Sequence, residues 1–222
     1  MKKAIKNNFL KALLTLMIIA LAAGQSMAQR EKQEYKTLFG GKQYKADGYY
    51  GALMINYGQV KNEDIILVGA RGGWIIDQAF TIGLAGYGLT NDIDLYDVYD
   101  NEVVNLAGGY GGLLLEPILL PNYPVHIAFP VIIGAGGVAY IDNQWRYHDD
   151  NWEPNVYDSD AFFVLEPGIE LEFNLTHFLR LGLAATYRYT TDLELYNTDP
   201  EVLDGFNFGM SFKFGKFSDR RY

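Results

Sequence analysis

The sequence predicts an all-β protein, an eight-stranded antiparallel up-and-down transmembrane β-barrel. Three observations predict it. Segments of about ten residues recur along the chain, and the clearest of them alternate apolar and polar residues. The connections between them run short on one side and long on the other. The chain carries 24 glycines, 17 tyrosines and 13 phenylalanines against 7 prolines and no cysteine, which suits many extended strands.

The first 28 residues stand apart. Lys2, Lys3 and Lys6 open the chain, an uncharged run follows from Ala12 to Ala23, and Ser26 and Ala28 form a small-x-small site. This is the layout of a secretory signal peptide over residues 1–28. The run is too short for a spanning helix, which needs about 20 residues. Residues 29–47 read as a short polar periplasmic lead-in. No later window has the run of about 18 apolar residues that a transmembrane helix requires. The chain is acidic, with 18 basic and 27 acidic residues, and Lys2, Lys3, Lys6 and Lys11 leave with the signal peptide. No basic stripe is present to neutralise phosphates, so no nucleic-acid partner is expected. Without cysteine there are no disulfides and no thiolate metal sites.

The barrel is expected over residues 48–217, with 218–222 as a C-terminal tail. Its strands read as Tyr49–Gly58, Ile65–Ile76, Phe80–Leu89, Val104–Glu116, Val125–Tyr140, Ala161–Phe173, Phe178–Thr190 and Gly205–Phe217. Short turns fall at Asp77–Gln78, Pro121–Pro124 and Asn174–His177, and long acidic loops at Asn91–Val103, Ile141–Asp160 and Thr191–Asp204. Only Lys61–Asp64 is brief on the long-loop side. An even strand number puts both termini on the short-turn side, facing the periplasm.

The last three strands decide which face meets lipid. In the seventh, Leu179, Leu181, Leu183, Ala185, Tyr187 and Tyr189 oppose Arg180, Gly182, Ala184, Thr186 and Arg188. In the sixth, Phe163, Leu165, Pro167, Ile169, Leu171 and Phe173 oppose Phe162, Val164, Glu166, Gly168, Glu170 and Glu172; in the eighth, four phenylalanines and Met210 oppose Asn207, Gly209, Ser211, Lys213 and Gly215. An eight-stranded barrel has an interior only just wide enough for side chains. The leucines and phenylalanines would overfill it, whereas the small and charged face would pack it. The apolar face is therefore assigned to lipid. Tyr49, Trp74, Phe80, Phe173, Tyr187 and Tyr189 lie near strand ends, as interfacial girdles do. In the second strand Ile66, Val68, Ala70, Trp74 and Ile76 are assigned outward and Arg71 inward. "LAGGYGGLLLEP" and "IAFPVIIGAGGVAY" are nearly apolar on both faces, which leaves their register open. Pro130 and Pro167, each lacking a ladder donor, suggest bulges.

The signal peptide, the eight strands, "NLTHFLRLGLAATYRYT" and the closing "DGFNFGMSFKFGKF" resemble the small outer-membrane β-barrel proteins of Gram-negative bacteria, which include the OmpA-type transmembrane domain and the PorT-like barrels. The resemblance covers essentially the whole mature chain. It implies an outer-membrane location. It also implies a terminal aromatic read by the insertion machinery, a part that Phe217 and Tyr222 both fit.

Three constellations are candidates for chemistry. The first is a lumen charge network of Arg71, Glu116, Glu166, Glu170, Glu172, Arg180, Arg188 and Lys213. Isolated buried charges are costly, so pairing is expected, Glu172 with Arg180 among others. The second is the long loops. Tyr96, Tyr99, Trp145, Tyr147, Trp152 and Tyr157 offer an interaction surface of the kind aromatic anchors form. Their many aspartates lack a calcium-loop spacing, so no metal or other cofactor is expected. The third is the histidines. His148 stands beside Asp149 and Asp150, with Ser159 in the same loop, but adjacent loop residues make a poor triad, so no enzyme is expected. The function expected is a non-enzymatic outer-membrane scaffold or surface-interaction protein. Its partners would be membrane lipid and an extracellular or envelope protein. The alternatives are a narrow channel for ions or small solutes and a secretion-accessory barrel.

Overall fold

The computed structural model describes residues 48–60, 63–89, 94–99, 102–142 and 156–217. The residues read as signal peptide, lead-in and tail, and Trp145, Tyr147, His148 and Trp152, lie outside the described residues. Ten strands are present: β1 (Gly48–Val60), β2 (Glu63–Ile76), β3 (Phe80–Leu89), β4 (Asp94–Tyr99), β5 (Glu102–Leu119), β6 (Val125–Ala128), β7 (Val131–Asp142), β8 (Val156–Asn174), β9 (Leu179–Thr190) and β10 (Gly205–Lys216). All pairings are antiparallel. β3 pairs with β5 and β1 with β10, so the sheet closes on itself. β6 and β7 together form one stave between β5 and β8, and β4 stands off the ring on β5. Ten strands thus make the eight staves the sequence predicts.

Two expected boundaries shift. The fifth stave is not continuous but breaks at Phe129–Pro130. The first and second long loops are also partly strand: β4 lies inside Asn91–Val103, β7 runs to Asp142, and β8 begins at Val156 rather than Ala161. The break falls at Pro130, which has no N–H to donate, and the loop-side pairings extend past register shifts between Leu95 and Tyr99 and at Tyr140/Ile141.

The expected bulges at Pro130 and Pro167 are absent. Ala128 pairs with Glu170 and Val131 with Pro167, an unbroken register across the gap between β6 and β7. Leu165 pairs with Tyr189 and Gly168 with Thr186, again without slippage. The surrounding ladder holds because backbone bonds flank the gap: Phe129 N donates to Pro117 O (2.9 Å) and Gly168 N to Pro130 O (2.8 Å). A proline removes one donor but need not insert a residue.

The registers also settle strands two to five. They add up to a net stagger of about ten residues round the ring, a strand tilt of about 40° for eight staves. Alternation then fixes the faces. Tyr50, Met54 and Asn56 of β1 are buried while Tyr49, Leu53, Ile55 and Tyr57 are exposed. On β2 Arg71 faces in, and Ile66, Val68, Trp74 and Ile76 face out. Tyr189 is the exception among the expected girdle residues. It is buried, its ring 4.4 Å from that of Tyr187.

The short turns are tight. Asp77 and Gln78 both take positive φ (52° and 58°), and Ala79 N bonds to Ile76 O at 3.0 Å. This is the two-residue hairpin whose twist matches that of the strands. Both chain ends of the barrel lie at this short-turn end, since Tyr49 pairs with Lys216.

Candidate functional site: the occluded lumen

The lumen is filled in three layers. Nearest the short turns, Tyr50, Ala52, Ile75, Ile118, Ala128 and Phe217 form an apolar floor. Phe217 points inward and is fully buried, with the Arg180 guanidinium 3.9 Å over its ring. At the long-loop end a larger apolar cluster includes Val60, Ile65, Leu67, Leu106, Tyr140 and Phe162. The ionic groups lie between these two layers, where water is excluded and charge interactions are strong.

Lys213 is the centre of the ionic layer. Its ammonium lies 3.1 Å from both oxygens of Glu116 and 3.3 Å from Glu170, and it also bonds Glu172. The three acceptors stand on β5 and β8. They can meet one ammonium because Glu170 and Glu172 are two residues apart on one face and Glu116 projects from elsewhere in the wall. The three donors of the ammonium go to both oxygens of Glu116 and to Glu172, and Glu170 is held as an ion pair. These three carboxylates are also the described residues best grouped to hold a metal ion. Lys213 occupies the place such an ion would take.

The neighbours complete the layer. Arg71 bonds Glu170 and lies 3.5 Å from Glu116. Tyr50 OH donates to Glu116 (3.0 Å), and Ser211 OH donates to Glu170 (2.5 Å). Arg180 donates to Glu172 at 3.2 Å, the pairing expected across the Asn174–His177 turn. His126 Nε2 lies 2.9 Å from the same carboxylate. Gly182 makes room for this arrangement, because a Cβ there would collide with the Glu170 carboxylate and the Ser211 hydroxyl.

Two of the eight expected members stand apart from the ion pairs. Glu166 accepts from three neutral donors: Tyr110 OH, Thr186 OH (2.5 Å) and Asn207 Nδ2 (3.4 Å). Arg188 donates from Nε to Leu203 O at 2.6 Å and lies over the Tyr110 ring at 5.5 Å. Arg71, Arg180 and Lys213 thus meet carboxylates, while Arg188 is met from the loop side by Leu203 O. The stagger carries Arg188 up into the apolar layer, where a loop carbonyl is its acceptor. Sequence reasoning missed Tyr50, Tyr110, His126, Thr186, Asn207 and Ser211 as members. Their signal was parity, since each lies on the inward face of its strand.

The outer mouth corrects an expectation. Thr191–Asp204 reads as a loop turned to the outside, but Leu193, Leu195 and Leu203 are buried inside the apolar cluster. The segment is strapped down. Glu194 N and Tyr196 N bond the carboxylates of Asp160 and Asp158 (2.7 and 2.8 Å), and Tyr140 OH meets Thr198 OH at 2.5 Å. Among the loop aromatics, Tyr157 is exposed on β8, and the backbone of β4 carries Tyr96 and Tyr99.

A cavity of about 10 Å³ remains between Arg71, Glu166, Glu170 and Ser211, roughly the space of one water.

Fold and site together define a class: a small closed barrel with an apolar outer wall and a lumen stoppered by ion pairs. Among solved structures the chain is similar to Neisserial surface protein A, at 8% identity over 76% of this chain and 96% of that one, TM-score 0.49. It is similar to the N-terminal β-barrel domain of Pseudomonas aeruginosa OprF (11% identity, 77% and 98% covered, TM-score 0.45). A further likeness is to the outer membrane protein OprG of Pseudomonas aeruginosa (10% identity, 83% and 99% covered, TM-score 0.46). All three are small bacterial outer-membrane barrels. No known family's sequence profile matches the chain, and no curated protein matches it.

Proposed function

We propose that this protein is a non-conducting barrel of the bacterial outer membrane, a scaffold that presents its acidic, aromatic long-loop side to an extracellular or envelope partner. The membrane assignment rests on the outer wall. Leu53, Val68, Trp74, Leu84, Phe163, Leu183 and Phe208 are exposed on staves around the barrel, Trp74 and Phe163 by 68% and 72%. An apolar surface that encircles a barrel is a liability in water and a requirement in lipid. The export signal read at residues 1–28 and the acidic long-loop segments orient it, with the short turns and both ends of the barrel on the periplasmic side.

One observation carries the non-conducting reading: Lys213, hydrogen-bonded to Glu116 and Glu172 and ion-paired with Glu170, sits as a cross-brace between two apolar layers. Ions would have to break this brace and also pass the leucine cork above it. The test is conductance of the refolded protein in planar bilayers, with insertion checked by heat-modifiable gel mobility. The reading predicts no ohmic steps from the wild type. It also predicts none from Leu195→Ser, which loosens the cork and leaves the brace. Steady conductance of the wild type would replace the scaffold by a channel.

A further inference from the structure

The lumen cavity of about 10 Å³ lies where two hydrogen-bonded groups meet. Arg71, Glu166, Glu170, Thr186 and Ser211 give it polar walls, and apolar side chains such as Ile132 close it. On one side is the ionic layer, which reaches the cavity through Arg71 and Glu170. On the other is Glu166, which accepts from Tyr110, Thr186 and Asn207. Among the described residues Glu166 forms no ion pair, although it is buried.

Two of the lining groups have bonding capacity to spare. Arg71 is 6% exposed. Its Nη2 donates to Glu170 and its Nη1 lies 3.5 Å from Glu116, while its Nε–H is buried and reaches no acceptor among the described residues. A donor left unbonded in a dry interior is costly, so this one calls for an acceptor. Glu166 has the opposite need. A carboxylate offers about four acceptor positions, and three donors reach this one.

These needs select the occupant. A metal cation would face the Arg71 guanidinium and give its Nε–H nothing to bond. A small anion would face the carboxylates of Glu166 and Glu170. An apolar guest would leave donor and acceptor both unbonded. The guest must accept from Arg71 and donate to Glu166, and the volume holds one water. We infer that the cavity is a binding site for a single long-lived water, whose oxygen accepts from Arg71 Nε–H and whose hydrogens go to Glu166 and Glu170. Arg71 then serves three carboxylates, Glu170 and Glu116 directly and Glu166 through the water. The bridge ties Glu166 to a cation and joins the two groups into one network. It goes beyond the scaffold reading and stands whether or not the lumen conducts.

The test reads the Arg71 Nε–H itself. The protein carries arginine labelled with the heavy nitrogen isotope and is refolded in detergent micelles, and Arg71→Lys assigns the signal. Rotating-frame cross-relaxation between side-chain Nε–H groups and water is then measured by nuclear magnetic resonance. The inference expects a dipolar cross-peak between Arg71 Nε–H and water, opposite in sign to one made by proton exchange. Ala184→Val fills the cavity from β9 and, separately, Ile132→Phe fills it from β7. Each should abolish the cross-peak and leave the Nε–H signal in place, and gel mobility shows that the variant has folded. No dipolar cross-peak in the wild type, or one that survives in a folded filling variant, would overturn the inference.

Discussion

At the scale of single residues, Lys213 sets the order of the interior. A buried ammonium is destabilising alone, and so is each buried carboxylate; together they satisfy one another without water. The asymmetry makes a prediction. Lys213→Met keeps the stem volume and leaves Glu116 to Arg71 and Tyr50 alone, with three carboxylates crowded in a dry layer. We expect a loss of about 3–5 kcal/mol, read from urea unfolding in detergent micelles. Phe212→Leu on the outer face should cost far less, and a similar loss in both would contradict the assignment. Much of this was legible. Alternation along Gly205–Lys216 puts Lys213 on the polar face, and the sixth strand puts Glu170 and Glu172 on theirs. What could not be read was that Glu116, 97 positions from Lys213, would share its ammonium. That contact depends on the stagger of the whole ring, a sum over pairings that no local pattern contains.

At the scale of elements, the Asp77–Gln78 turn shows where the sequence departs from the local optimum. A turn with two positive φ values favours Asn-Gly, yet Gln78 takes the second position. The Gln78 side chain is buried, and its amide has no hydrogen-bond partner among the described residues. Replacing the pair by Asn-Gly should stabilise the barrel by about 0.5–1 kcal/mol in the same unfolding assay. A destabilised variant would mean that the Gln78 amide has a partner the turn needs. The Thr191–Asp204 strap carries a related lesson. "TDLELYNTDP" is acidic enough to read as a solvated loop. Its leucines, however, fall at alternate positions, 193 and 195, the period of a strand edge. The alternation was visible, but the carboxylates that catch its backbone, Asp158 and Asp160, lie on a distant segment. The prolines erred the other way. Pro130 and Pro167 looked disruptive one at a time, yet the ladder keeps its register past both, and Pro130 O still accepts from Gly168 N.

At the scale of the whole molecule, the barrel turns a soluble protein's arrangement inside out. Its leucines and phenylalanines cover the outside, and its arginines, glutamates and lysine fill a narrow interior with apolar caps at both ends. This is the central claim, and "FLRLGLAATYRYT" is the stretch that tests it, because its two faces differ most. The chain has no native cysteine, so single cysteines can be placed from Leu179 to Thr190 without background. Each is spin-labelled in the refolded protein in lipid bilayers and exposed to oxygen, which concentrates in lipid, or to a water-soluble nickel chelate. The account predicts a period of two: labels at Leu181, Leu183 and Ala185 open to oxygen and shielded from nickel, labels at Ala184 and Thr186 shielded from both. Nickel access at Leu181, Leu183 and Ala185, or no alternation along the strand, would contradict it.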